Sequence, residues 1–144
     1  MRLNHVAISV KDMERSLAFW RDALGLQLIQ DRMLSGPDLD MALMETGTSV
    51  RMVILADEVG SMIELLGWES PPVRERPPEH LKFASTGLVE VCLAVSDLEK
   101  LEEDLAKKGI KFRTPVWILN IEGLDVKVTH VVDPDGVQVE LIQL

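Results

Sequence analysis

The chain has 144 residues, 47% apolar and 27% charged, the balance of an ordinary globular protein long enough to bury one sizeable core. Its formal net charge of −9 opposes nucleic acid and anionic membrane surfaces, because phosphate affinity needs clustered Lys and Arg. A lone cysteine, Cys92, excludes an intrachain disulfide and any zinc site built on several cysteines.

The opening LNHVAISVKD, residues 3–12, alternates as a strand, with His5, Ala7 and Ser9 on one face and Val6, Ile8 and Val10 on the other. Asp12 is placed to cap a helix over MERSLAFWRDALGL, in which Met13, Leu17, Trp20 and Leu24 recur at helical spacing and Gly25 supplies the stop. QLIQDRM, DMALME, SVRMVILAD and SMIELLGW then read as β, with DEVG before Ser61 a turn signal. Met33, Met41, Met44, Met52 and Trp117 are expected in the core, with an adaptable apolar wall for a ligand as the alternative role. PPVRERPPEH, residues 71–80, is proline-rich and charged, cannot continue a sheet, and reads as a linker in which His80 is a surface residue.

Beyond the linker the plan repeats. LVEVCLAVSD, residues 88–97, is a second copy of the opening strand, with Glu90 where the first has His5. Asp97 caps LEKLEEDLAKKGI, Leu98, Leu101 and Leu105 form its apolar stripe, and Gly109 ends it. FRTPVWILN, KVTHVVD and VQVELIQL follow as strands, the last two joined by the turn DPDG at 133–136. The closing strands MIELLG and QVELIQL align Glu64 with Glu140, 76 residues apart, whereas His5 and Glu90 are 85 apart. The first half therefore carries about nine extra residues, placed around LSGPDLD. The expected architecture is α+β, a tandem repeat of βαβββ in a single domain over 1–144, with module 1 at 1–70, a linker at 71–86 and module 2 at 87–144. Strand alternation puts His5, Glu64, Glu90 and Glu140 on the face away from the helices.

That set of residues has a chemistry of its own. Ionised carboxylates are rarely left unpaired away from water, and three on one concave face repel one another, a repulsion that a divalent cation would offset. One imidazole and up to three carboxylates make a hard donor set, better suited to Mn²⁺, Ni²⁺, Co²⁺ or Mg²⁺ than to a thiolate-type zinc site. His130, in KVTHVVD, alternates with Val128 and Val132, and its imidazole can transfer a proton or hydrogen-bond a substrate oxygen. Nucleotide-binding glycine loops and serine-elbow motifs are missing from the sequence. No run approaches a membrane span of roughly 20 apolar residues and the N-terminus does not look like a signal peptide, so a cytoplasmic protein with a small-molecule partner is expected.

LNHVAISVKDMERSLAFWRDALGL, MIELLGW, VCLAVSDLEKLEEDLAKKGIKF and VVDPDGVQVELIQL together resemble the vicinal oxygen chelate superfamily, which holds glyoxalases, methylmalonyl-CoA epimerases, extradiol dioxygenases and bleomycin-resistance proteins. The resemblance implies two βαβββ modules forming a cup-shaped, barrel-like mixed sheet with helices outside. It also implies a divalent metal (Mn, Ni, Co, Mg, Fe or Zn) held by His5, Glu64, Glu90 and Glu140, and a homodimer. The activity it implies is a metal-dependent lyase or isomerase, with Glu140 as ligand and base, Glu90 as second candidate for the base, and His130, placed beside Glu140 by the resemblance, assisting. Ring-cleaving dioxygenation is an alternative with less support, since its iron site wants two imidazoles and one carboxylate. The other alternative is a non-catalytic small-molecule binding protein of the bleomycin-resistance kind. Arg51, Arg74, Arg76 and Lys127 are the cations available to an anionic substrate.

Overall fold

The computed structural model describes the backbone of residues 1–144 and the side chains of all but Pro78 and Leu81. The chain forms two compact units, Met1–Glu75 and Arg76–Leu144, each an open four-stranded mixed sheet covered by helix in an α+β fold.

In the first unit β1 (His5–Val10), α1 (Met13–Leu17), β2 (Gln27–Ser35), α2 (Pro37–Leu43), β3 (Ser49–Ala56) and β4 (Met62–Ser70) give the strand order β1-β4-β3-β2. In the second, β5 (Glu90–Ala94), α3 (Leu98–Lys107), β6 (Trp117–Ile121), β7 (Leu124–Val132) and β8 (Gln138–Gln143) give β5-β8-β7-β6. The first and last strands of each unit run parallel and the remaining pairs antiparallel. This is the tandem βαβββ repeat expected from the sequence.

Alternation along the strands decides which face each helix covers. Ile8, Val10, Ile63 and Leu65 are buried in the first unit, and Val139 and Leu141 in the second, while His5, Ala7, Ser9 and Cys92 are exposed on the opposite side. Asp12 and Asp97 cap as expected, accepting the backbone N–H of Arg15 (3.1 Å) and of Lys100 (3.0 Å). Met13 seats α1 on β4, against Gly67, where an added Cβ would come within 3.1 Å of Met13 Cε.

Three local readings are corrected. The helix after Asp12 is α-helical only through Leu17 and continues as a π-helical segment over Ala18–Ala23, closed by Leu24 N–H donating to the Phe19 carbonyl (3.0 Å). The wider turn brings Phe19 and Trp20 inward together as an edge-to-face pair with centroids 5.3 Å apart. DMALME is not a strand: Pro37 in the first turn, Asp38 and Asp40 near the N-terminus and good helix formers behind them make α2, and this helix is the extra segment of the first module. FRTPVWILN is strand only from Trp117, since Pro115 cannot pair; β6 and β7 are joined at Glu122–Gly123, both at positive φ, as a two-residue hairpin requires.

Met33, Met41 and Met44 are exposed rather than core. The linker holds one 3₁₀ turn, Pro78–Leu81, with His80 exposed. Among the described residues no helix is long and apolar enough to cross a membrane.

Candidate metal centre

The two modules place their end-strand glutamates in the same register. Glu64 lies between Ala7 of β1 and Ile54 of β3; Glu140 lies between Cys92 of β5 and His130 of β7. In the first module His5 approaches Glu64, Nε2 to Oε2 3.3 Å, while His5 Nδ1 is 2.8 Å from Asn4 Oδ1. The glutamate is the more covered partner, 15% exposed against 38% for His5.

The second module gathers three donors. One ligand atom each of Glu90, His130 and Glu140 lies within 4.8 Å of the other two. His130 Nε2 is 3.6 Å from Glu90 Oε2 and 4.0 Å from Glu140 Oε1, too long for good hydrogen bonds. Glu90 Oε2 is buried with no hydrogen-bond partner among the described residues, a costly arrangement for a carboxylate oxygen with nothing to neutralise it. A cation bound at about 2.1 Å to each donor would set pairs of donors about 3.0 Å apart when adjacent and about 4.2 Å when opposite. The two separations from His130 fall inside that range and all three donor atoms lie within 4.8 Å, a spacing that a divalent ion could bridge.

Aromatic packing fixes the imidazole. Trp117 of β6 stacks on His130 with centroids 5.6 Å apart and 23° between planes, and Phe83 meets it edge-on at 5.5 Å and 73°. The His130 side chain is 12% exposed, against 30% for Glu90 and 24% for Glu140. Trp117 is exposed rather than core. Phe83 carries no sequence signal, since it falls in the linker away from any periodic segment.

Cys92 sits on β5 two residues beyond Glu90. Although the residue is exposed, desolvation at the sulfur, a hydrogen bond to Glu140 and the charges of Glu140 and Glu90 push its thiol up to about 12. It therefore stays a thiol at neutral pH and is a poor nucleophile. Three of the four cations considered for an anionic substrate are paired: Arg51 binds Asp31 through two nitrogens and Glu14 through a third, Lys127 pairs with Glu99, and Arg74 approaches Glu45 at 3.9 Å. The Arg51 guanidinium holds Asp31 below the usual carboxylate range.

Two βαβββ modules with His5, Glu64, Glu90 and Glu140 on their first and last strands give the arrangement that the sequence resemblance implied. The sequence profile of the Glyoxalase/Bleomycin resistance protein/Dioxygenase superfamily matches residues 2–141, and the chain belongs to that superfamily. It is 32% identical over 142 residues to the mitochondrial methylmalonyl-CoA epimerase of Mus musculus, covering 99% of this chain and 72% of the relative. It is also 32% identical to that of Homo sapiens, covering 99% and 73%. A glyoxalase family protein from Bacillus cereus shares the fold at a TM-score of 0.85 and 20% identity, over 99% of this chain and 93% of the other.

Proposed function

We propose that the chain is a metal-dependent lyase or isomerase, glyoxalase- or epimerase-like, that chelates neighbouring oxygens of a small metabolite and assists proton transfer. The observation that carries this reading is the cluster of Glu90, His130 and Glu140 around the partnerless Glu90 oxygen. Similarity to enzymes named as epimerases supports it. His5 and Glu64 are the first module's proposed donor pair. Mn²⁺, Ni²⁺, Co²⁺ and Mg²⁺ suit these donors best.

A divalent cation at these donors supplies Lewis-acid polarisation of the substrate's oxygens, which makes an adjoining C–H acidic. The chain supplies the rest. A Glu140 carboxylate oxygen would take the proton and deliver it to the neighbouring carbon in an isomerisation. Glu90 is the second candidate for the base and, in an epimerisation, the group that reprotonates the other face. Trp117 and Phe83 hold the imidazole in place by stacking and edge contact. The cluster has one imidazole and two carboxylates, one imidazole short of the iron site of ring-cleaving enzymes. We further propose a cytoplasmic homodimer, on the resemblance to the superfamily.

The test is exchange of the α-proton of methylmalonyl-CoA and related 2-substituted thioesters and hydroxycarbonyl compounds in D₂O, followed by NMR. Protein stripped with chelator and reloaded with Mn²⁺, Co²⁺ or Ni²⁺ is expected to exchange at least one of them, and stripped protein none. Uptake of less than about half an equivalent of metal per chain would sink the enzymatic reading. That outcome would favour a binding protein for cationic ligands, to which the charge of −9 is suited.

A further inference from the structure

The first module carries an imidazole, His5, on its opening strand, and the second carries Glu90 at the matching place. The second module nonetheless has an imidazole, on a different strand. Glu64 is flanked on β3 by Ile54, and the register-matched neighbour of Glu140 on β7 is His130. Each module thus keeps one imidazole close to its last-strand glutamate, from β1 in the first and from β7 in the second.

We infer that His130 replaces the missing first-strand imidazole as a metal ligand, so that Glu90, His130 and Glu140 form a three-donor set drawn wholly from the second module. This rests on the proposed metal-dependent function and changes the role of one residue, from the proton-transfer group expected from the sequence to a ligand. Three observations carry it. The Nε2 atom is the part of His130 that faces both carboxylates, at 3.6 and 4.0 Å, distances that a shared cation explains and direct hydrogen bonds do not. Stacking on Trp117 and the edge contact from Phe83 hold the ring plane, the kind of orientation a ligand imidazole needs and a mobile proton shuttle does not. The buried Glu90 oxygen lacks a partner among the described residues on the side where Nε2 lies, and a cation between them would satisfy both.

The test moves the imidazole. Full-length protein is stripped and loaded with Co²⁺; affinity is read by calorimetry, and ligand imidazoles by their paramagnetically shifted N–H resonances in NMR. His130→Ile installs the residue that the first module carries at the matching place, and is expected to lose about 100-fold in Co²⁺ affinity together with a shifted imidazole signal. Adding Glu90→His returns the imidazole to the first strand, and the double variant is expected to regain the signal and most of the affinity. His130→Gln, closer in polarity, gives the same reading if the isoleucine variant fails to fold. The inference is overturned if these His130 variants keep wild-type affinity and every shifted imidazole signal; loss of turnover alone would then leave the metal-dependent reading standing with His130 in proton transfer. If wild-type protein takes up no Co²⁺, Mn²⁺ or Ni²⁺, both readings fall together.

Discussion

Glu64 has Ala7 and Ile54 for cross-strand neighbours, and Glu140 has Cys92 and His130. The backbone pairing is the same in both modules and the chemistry beside the glutamate is not. Buried residues of the two modules stay alike, Ile63 and Leu65 matching Val139 and Leu141, because burial against a helix admits only apolar groups of similar volume. The open faces are free of that constraint. There the first module keeps a covered glutamate beside a more exposed imidazole, and the second gathers two carboxylates around a covered imidazole with an aromatic backing. The comparison teaches that the two modules share registers and cores while the imidazole nearest the last-strand glutamate comes from a different strand in each.

The sharpest way to break this comparison is to neutralise the two glutamates in turn. Glu140→Gln is expected to lower turnover about 10²- to 10⁴-fold, the range for removing a positioned base, and to weaken metal binding as well. Glu64→Gln is expected to cost metal affinity with a smaller loss of kcat, since it has no proposed part in proton transfer. Steady-state kinetics at saturating Mn²⁺ or Co²⁺ checks both; equal kcat losses would mean that the modules share the chemistry evenly.

Next in size come the paired core leucines. Leu65 and Leu141 are each fully buried, and Leu→Ala at either should cost about 2–5 kcal/mol in chemical denaturation. Similar losses would confirm that the two cores are equivalent. A loss at one position near zero would show that its module contributes little to cooperative unfolding.

The cores were readable from sequence for a simple reason. Period-two alternation and the Asp-capped, glycine-ended helices reflect local rules, and both copies obeyed them. What stayed hidden was decided by less local forces. DMALME has the apolar content of a strand, and the proline and acidic first turn that make it helical speak only weakly in a short window. The π-helical turn depends on burying Phe19 and Trp20 together, a demand of packing and not of propensity. At the site, the faces of His5, Glu64, Glu90 and Glu140 follow from alternation, whereas the neighbourhood of His130 with Glu140 was implied by the resemblance and is set by the pairing of β7 with β8. Phe83 lies outside any periodic element, and the clamp it forms on His130 with Trp117 exists only through tertiary contact.

The turns before the closing strands offer a finer comparison. Asp57 Oδ1 accepts the N–H of Val59 and Ser61, and Asp133 Oδ1 that of Asp135 and Val137, so both modules use an aspartate in one role. Asp133 is buried, and its replacement by Ala should cost about 1–3 kcal/mol because two amides lose an acceptor. Asp57→Ala should cost less, since water reaches that turn. The hydrogen bond from Ser61, the largest cause, holds the Asp57 carboxyl below its ordinary value. Its contribution is therefore fully present above the unfolded-state pKa of about 3.9 and is lost as pH falls through the lower folded-state value. Wild type and Asp57→Asn should converge in unfolding midpoint over that acid range and separate above it; a constant gap across it would mean that ionisation of Asp57 contributes nothing.

The smallest effect expected is at the helix caps, where the modules differ in what the cap holds. Asp97 begins α3, ten residues of regular helix whose first turn is also tied down by Leu98 N–H donating to Gln143 Oε1 at 2.9 Å. Asp12 begins α1, five residues that pass directly into the π-helical turn, whose Phe19 and Trp20 are buried. Asp→Ala at an N-cap costs about 1 kcal/mol where nothing else satisfies the first-turn amides. The loss should be smaller at Asp97, because Gln143 still holds Leu98, and nearer the full value at Asp12. Denaturant midpoints of the two variants, with Asp97→Ala/Gln143→Ala as a third, check the order. If the double variant loses no more than Asp97→Ala alone, Gln143 is not the second support of that helix start.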